Sequence, residues 1–287
     1  MSPEELSIIV SALDEDTGGG DPTTEATVDP TIKGTAFFLA KEDGILSGIE
    51  YACEVFNVYA KRSHRQTTVT PQILFQDGTP VRISDRLAVI SAPLDIILTA
   101  ERVALNILQR MSGIATMTAQ FVEAIRGTGA TILDTRKTVP LLRPFDRYAV
   151  RSGGGSNHRY SLGDMILVKD NHIAANEMNI ERVIEKLRTY FSTRTKIPVE
   201  LEVTSLAQFA IVQKFGVGII DRVMFDNFKL EDLRQGVVLN NGVFETEASG
   251  GVNIQTVRKI AETGVQYISV GALTHSVKGL DISLEVE

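Results

Sequence analysis

From residue 129 onward the chain repeats one pattern. A short β-branched or apolar run is followed by polar residues and then by a helical pattern. The runs are ATILDT, DMILVKD, PVELEV, RVMFDN, VFETEASG and QYISVGA. Strands that alternate with helices are joined by crossovers, so this texture demands a parallel sheet built from βα units. Each run also closes on a chemically capable group: Asp134 to Lys137, Lys169, Glu202, Asp226, Ser249 to Gly251, and Gly271. The last three steps between these groups are 24, 23 and 22 residues, room for a strand, a loop and one helix. Polar groups at the C-terminal ends of successive parallel strands are the layout of an α/β barrel, whose loops converge on one mouth. An open doubly wound sheet uses only its switch point and does not account for six such ends. Six runs are fewer than eight. Either the barrel is incomplete or further strands lie around 142–151.

The first hundred residues have a different texture. TAFFLAKEDGILSG, HRQTTVTPQILFQDGTPVRIS and LAVISAP are strand-like runs broken by Gly, Asp-Gly and Pro. Between them IEYACEVFNVYA carries an apolar stripe at helical spacing. The opening MSPEELSIIVSALDEDT reads as a short amphipathic helix, without the basic and apolar regions of a signal peptide. A long helix is expected over 99–125, with Ala104, Leu108, Met111, Ala115, Val122 and Ile125 on its apolar face. Gly113 inside it costs about 1 kcal/mol relative to Ala and predicts a kink or a close packing contact.

Charge separates one window from the rest. The chain has a formal net charge of −7. In the window 134–173, Arg136, Lys137, Arg143, Arg147, Arg151, Arg159 and Lys169 outnumber Asp134, Asp146, Asp164 and Asp170, and His158 and His172 lie among them. A basic, glycine-punctuated island in an acidic protein suits a small polyanion, and the arginine fork grips carboxylate or phosphate at two points. The acidic balance argues against bulk nucleic-acid binding. LAVISAPLDIIL is too short to span a bilayer. Cys53 is the sole cysteine, which leaves no intrachain disulfide or thiolate metal site, makes it a small buried apolar residue, and sets the cytosol as the default location.

Within this frame the candidate residues divide by chemistry. Ser249, Gly250 and Gly251 precede a helical pattern, and Gly271 and Ala272 follow a strand; their backbone N–H groups suit a phosphate. Glu202 and Asp226 would hold ribose hydroxyls or a Mg²⁺ that bridges a diphosphate, with helix capping as the plainer reading of Asp226. Glu200 shares a strand face with Glu202, and one of the two reads as a solvent or packing-layer residue. Lys169 is either an ammonium for a diphosphate or a Schiff-base amine, or else a surface lysine. Gly153 to Gly155 form a loop that ends in Asn157, His158 and Arg159. Arg143, Arg147 and Arg151 are spaced by four, as on a helix face. His64 and His275, taken alone, read as structural.

Several of these segments together resemble one family. ERVALNILQRMSGIAT, LDTRKT, YAVRSGGGSNHR, DMILVKDNHI, MFDNF, SGG and VGALTHS are similar to quinolinate phosphoribosyltransferases, and the likeness runs from GDPTTEATV to the C-terminus. The resemblance implies an α/β sandwich over 1–110, joined by the tail 276–287, and an incomplete TIM-like (β/α) barrel over 111–275. This is the type II phosphoribosyltransferase architecture. It further implies a cytoplasmic homodimer with a shared active site, sometimes assembled into hexamers. The implied substrates are quinolinate and 5-phosphoribosyl 1-diphosphate, with Mg²⁺ and no organic cofactor. By motif, Arg102 would enter the neighbouring subunit's site. Arg136, His158 and Arg159 would bind the pyridine dicarboxylate, with Lys137 near both substrates. Lys169, Glu202 and Asp226 would face the phosphoribosyl diphosphate and its Mg²⁺, and Lys137, Lys169, Glu202 and Asp226 would form the catalytic set. Ser249, Gly250, Gly251, Gly271, Ala272 and His275 would line the 5′-phosphate end. Pro144 sits in a more idiosyncratic stretch, TVPLLRPFDRYAV. The alternatives are a Schiff-base barrel aldolase using Lys169, a related phosphoribosyltransferase-like protein with another substrate, and a non-catalytic phosphosugar-binding protein.

Overall fold

The structure, a computed structural model, describes residues 1–63, 67 and 69–287. His64 and the start of the run at 64–84 therefore lie outside the described residues. The chain folds as two compact units. One comprises Met1–Ala119, Thr138–Gly154 and Leu273–Glu287, and the other Gln120–Lys137 and Gly155–Ala272.

The first unit opens on α1 (Pro3–Thr17), whose start is set by a capping box: Glu5 N donates to the Ser2 hydroxyl and Ser2 N to the Glu5 carboxylate. Its apolar stripe buries Ile9 and Leu13. Asp21 caps α2 (Pro22–Thr27). β1 (Lys33–Ala40), β3 (Thr70–Ile73), β5 (Arg86–Pro93) and β12 (Ile282–Val286) form an antiparallel sheet in the order β12-β1-β5-β3. β2 (Gly44–Ile45) and β4 (Pro80–Val81) pair separately. α3 (Ile49–Arg62) is the helix expected from its stripe and buries Ile49, Ala52, Cys53, Val55 and Phe56. Burial raises the Cys53 thiol to about 12, so it packs as an apolar group.

α4 (Leu94–Ala124) begins five residues before the expected start, immediately after Pro93 ends β5. Gly113 resolves into the close contact: a Cβ there would lie 2.2 Å from the Lys278 carbonyl oxygen. The segment left open as further strands is a helix, α5 (Arg143–Ser152). Pro144 falls in its first turn, where a missing N–H is harmless. The four-residue spacing of Arg143, Arg147 and Arg151 is therefore helical. α5 buries Asp146, which accepts from Arg110 Nε and Nη2 at 2.8 Å each.

The second unit holds β6 (Thr131–Leu133), β7 (Ile166–Val168), β8 (Val199–Val203), β9 (Arg222–Asp226), β10 (Glu245–Ser249) and β11 (Tyr267–Ser269). Each of the six sequence runs supplies one strand. All pairings are parallel, in the order β6-β11-β10-β9-β8-β7, and among the described residues no pairing joins β6 to β7. The barrel is thus incomplete. Its crossovers carry α6 (Asp170–Ala174), α7 (Ile180–Phe191), α8 (Leu206–Phe215), α9 (Leu230–Asn240) and α10 (Val257–Ala261); α11 (Ala272–His275) leads out of the unit. Register aligns the charges of neighbouring strands: Glu200 lies opposite Arg222, Arg222 opposite Glu245, and Glu202 opposite Met224, with Glu247 beyond. In this sheet a charged row replaces the branched apolar layers that usually fill such barrels.

Candidate active site

The basic window is organised by Asp134, fully buried at the end of β6. Its carboxylate accepts from Asn157 Nδ2 at 2.6 Å and from the His158 amide at 2.7 Å. Ser156 extends the strand pairing, donating to Ile132 O at 2.8 Å and accepting from Asp134 N at 3.1 Å. The glycine loop is thereby tied alongside β6, which brings Arg159 near Arg136. Burial, and next the Arg136 charge, lower the Arg159 pKa. Arg159 Nη1 donates to Met165 O at 2.9 Å, which anchors the fork. Arg136 Nε is buried and meets no acceptor among the described residues. Two adjacent guanidinium groups with a donor still to satisfy have the chemistry that suits a carboxylate. Lys137 follows as an exposed cation.

Behind them stands a buried acid cluster. The His158 side chain is only 6% exposed, with Nε2 2.9 Å from Glu200 and 3.5 Å from Glu247, both wholly buried. Glu247 is held by Arg222 Nη1 at 3.0 Å and accepts from the Ser269 hydroxyl. Burial lowers the His158 pKa, but the Glu200 and Glu247 carboxylates outweigh it and push the ring up to about 9. Burial, with the Glu247 charge second, raises Glu200 to about 7. Glu200 and Glu202 are both buried, so of the two readings left open for one of them, solvent or packing layer, Glu200 takes the packing layer.

At the next strand ends Lys169 Nζ lies 3.7 Å from Glu202 Oε2, with the lysine half exposed. Burial, then the Asp226 charge, raise the Glu202 pKa, so the two carboxylates feel one another. Asp226 does not cap the following helix: α9 has Lys229 at its N-cap, and the Asp226 carboxylate accepts from Asn227 Nδ2 at 2.7 Å. Paired oxygen donors suit Mg²⁺, a hard cation.

The glycine loop after β10 is built against the loop after β9. Gly250 has φ +92°, and a Cβ there would lie 2.2 Å from Asn227 Oδ1, so only glycine fits. Asn227 itself has φ 54° and donates its amide to Ser249 O at 2.9 Å. The helix expected directly after Ser249 to Gly251 starts only at Val257, because Asn253 and Thr256 form a side-chain-bonded turn first. That loop therefore offers backbone N–H groups without a helix terminus behind it. Gly271 and Ala272 follow β11.

Arg136, Lys137, His158, Arg159, Lys169, Glu202, Asp226, Ser249 to Gly251, Gly271 and Ala272 thus share one unit and one set of strand ends. Arg102 and His275 belong to the other unit. Arg102 is 59% exposed, with Glu101 at 3.9 Å, and His275 Nδ1 lies 2.6 Å from the Ser276 hydroxyl. Sequence reasoning missed Arg222, Glu247, Ser269 and Asn227. One signal was present: charges at alternate positions in RVMFD and ETEAS, where a strand buried on both faces reads as a continuous apolar run.

Comparison with known proteins agrees with this architecture. The sequence profile of the quinolinate phosphoribosyl transferase N-terminal domain matches residues 21–112, and that of the C-terminal domain matches 114–285. Quinolinate phosphoribosyltransferase [decarboxylating] 1 of Nicotiana glauca is 40% identical, covering 98% of this chain and 81% of its own length. Nicotinate-nucleotide pyrophosphorylase [carboxylating] of Mycobacterium leprae is 39% identical, covering 96% and 94%. The crystal structure of NadC from Streptococcus pyogenes superposes with a TM-score of 0.91 at 37% identity, covering 100% of this chain and 98% of that one. With an α/β sandwich and an incomplete (β/α) barrel of type II phosphoribosyltransferase architecture, this chain belongs to the quinolinate phosphoribosyltransferase family.

Proposed function

We propose that this protein joins quinolinate to 5-phosphoribosyl 1-diphosphate and releases nicotinate mononucleotide, diphosphate and CO₂, a step of NAD biosynthesis. The observation that carries the reading is the Arg136–Arg159 pair, with the Arg136 Nε donor still to be satisfied. A pyridine dicarboxylate needs several cations, and Arg136, Arg159 and Lys137 supply them at one strand end. Lys169 stands toward the departing diphosphate. Glu202 and Asp226 position the ribose hydroxyls and favour the positive charge that develops at C1. Mg²⁺ held by Glu202 and Asp226 would supply charge neutralisation for the diphosphate. The ring nitrogen attacks C1 as the C1–diphosphate bond breaks. The nitrogen becomes cationic and stabilises the carbanion left on C2 when the adjacent carboxylate departs as CO₂; C2 then takes a proton from solvent, and no organic cofactor is needed. Backbone N–H groups of Ser249 to Gly251, Gly271 and Ala272 receive the 5′-phosphate.

The working form in this reading is a homodimer in which Arg102 of one subunit completes the site of the other. No helix among the described residues is long and apolar enough to cross a membrane. The single buried cysteine fits a reducing compartment such as the cytosol.

One assay tests the reaction: quinolinate, phosphoribosyl diphosphate and Mg²⁺, with CO₂ and nicotinate mononucleotide followed together and nicotinate as the parallel substrate. Equal amounts of both products from quinolinate, and none from nicotinate, are expected. Turnover of nicotinate alone, or of neither substrate, refutes the assignment.

A further inference from the structure

The acids buried behind His158 have no part in the proposed reaction. We propose that Glu200, backed by Glu247 and Arg222, is a positioning residue that holds the Nε2–H of His158, leaves Nδ1 as an acceptor for the Arg159 amide, and so makes His158 a strut that places Arg159 instead of a substrate ligand. This rests on the reading that Arg159 binds a carboxylate of the pyridine substrate.

Both ring nitrogens are consumed inside the protein. Nε2 faces Glu200 at 2.9 Å, and Nδ1 accepts from Arg159 N at 2.7 Å. A proton on Nδ1 would point at that N–H. The amide contact therefore shuts out the second ring proton that the acids alone would favour, and the ring is fixed as the Nε2–H form. With its side chain 6% exposed, His158 has no free nitrogen to offer a carboxylate. The Arg159 backbone, by contrast, is tied at its amide, while its guanidinium is anchored to Met165 O at 2.9 Å.

Glu200 is equally constrained. Strand register sets it opposite Arg222 on β9, and its second oxygen, Oε1, is buried with no hydrogen-bond partner. That orphaned acceptor is a cost the fold carries to keep an acid against His158. His158, Glu200 and Glu247 have the composition of a metal site, their donor atoms lying within 4.8 Å of one another. The cation there is already Arg222, whose Nη1 is 3.0 Å from Glu247 Oε2, the same oxygen that faces His158. A divalent ion would meet a fixed guanidinium.

The test uses Glu200→Gln, which keeps a carbonyl acceptor for Nε2–H, and Glu200→Leu, which removes it. Ring ¹⁵N spectra of the histidine-labelled, substrate-free protein at neutral pH are read first, with His158 assigned by its loss in His158→Asn. The expected wild-type spectrum has a protonated Nε2 and an unprotonated Nδ1, both unmoved by saturating quinolinate. Glu200→Leu is expected to shift the ring to mixed tautomers. Kinetically, Glu200→Leu should raise KM for quinolinate about tenfold, the size of one charge-assisted hydrogen bond, with KM for phosphoribosyl diphosphate within about twofold. Glu200→Gln should recover most of that loss. A doubly protonated ring, ring signals that move with quinolinate, or an unchanged quinolinate KM in a folded Glu200→Leu protein overturns the proposal. If Glu200→Leu does not fold, the wild-type spectra and Glu200→Gln still decide it. Wild-type protein inert toward quinolinate would instead refute the functional reading, while the substrate-free spectra continue to judge the Glu200–His158 bond.

Discussion

Replacing Arg222 by Met isolates the charge of the buried cluster, because the stem of the side chain is kept. Arg222 donates to Glu245 at 3.0 and 2.8 Å and to Glu247 at 3.0 Å, and its guanidinium carbon lies 3.9 Å from the Tyr267 ring centroid. The three contacts are unequal. Glu245 is 47% exposed, so that pair is worth about 0–1 kcal/mol. The ring contact adds about 0.5–1 kcal/mol. Glu247 is wholly buried, and removing the partner of a buried charge costs about 3–5 kcal/mol, so this pair dominates. The pH dependence follows from the same carboxylate. Burial alone would raise the Glu247 pKa, but His158, Ser269 and Arg222 together hold it below its ordinary value. Its stabilisation is therefore present above the unfolded carboxyl pKa and lost as pH falls through the folded one. In Arg222→Met the carboxyl pKa climbs, and each unit of climb costs about 1.4 kcal/mol wherever the group must stay charged. The loss should therefore be larger at pH 8 than at pH 5. The chain has no tryptophan, so urea unfolding is followed by far-UV circular dichroism. A midpoint loss equivalent to about 3–5 kcal/mol at pH 8, with a melting temperature lower by roughly 10 °C, is expected. A loss below about 1 kcal/mol, or one identical at both pH values, would falsify the reasoning.

Gly250→Ala forces a Cβ to within 2.2 Å of Asn227 Oδ1 at φ +92°, so a cost of about 1–3 kcal/mol and a raised KM for phosphoribosyl diphosphate are expected. Unchanged melting and KM would show that the two loops move apart freely. Gly113→Ala should destabilise by about 1–3 kcal/mol despite the better helix propensity of Ala, because the new methyl meets the Lys278 carbonyl at 2.2 Å; a stabilised variant in a thermal melt would contradict the contact. Arg136→Ala should abolish quinolinate binding in calorimetry, at a cost of about 2–5 kcal/mol. Mixing Arg102→Ala with Arg136→Ala subunits should restore part of the activity, since a mixed dimer holds one intact site. No recovery under verified subunit exchange would count against a shared site.

Much of the barrel was legible because parallel strands leave two local marks, an apolar run and a polar group at its C-terminal end. All six runs are strands, although glutamates interrupt the apolar pattern of PVELEV and VFETEASG. The segment at 142–151 was ambiguous because a proline-broken stretch satisfies neither period clearly; Pro144 at the first helical turn resolved it. The start of α4 precedes the expected one by five residues because the strand-like LAVISAP runs straight into it, with only Pro93 between.

The sequence alone determined which chemistry this protein carries. A run of arginines, lysines and histidines inside an acidic chain, with carboxylates and glycines at strand ends, follows from residue identity and short-range spacing. Tertiary structure alone decided which of these groups meet. Glu200, Arg222 and Glu247 sit on three strands, and Glu200 and Glu247 are 47 residues apart. Alternation placed Glu200 and Glu202 on one face of a single strand, but only the register of β8, β9 and β10 put the cation between the acids. His158 meets those acids because Asp134 ties its loop beside β6, and Gly250 meets Asn227 because two adjacent strands end level. A sequence carries local propensities, whereas register and loop docking are settled by burying many such faces at once.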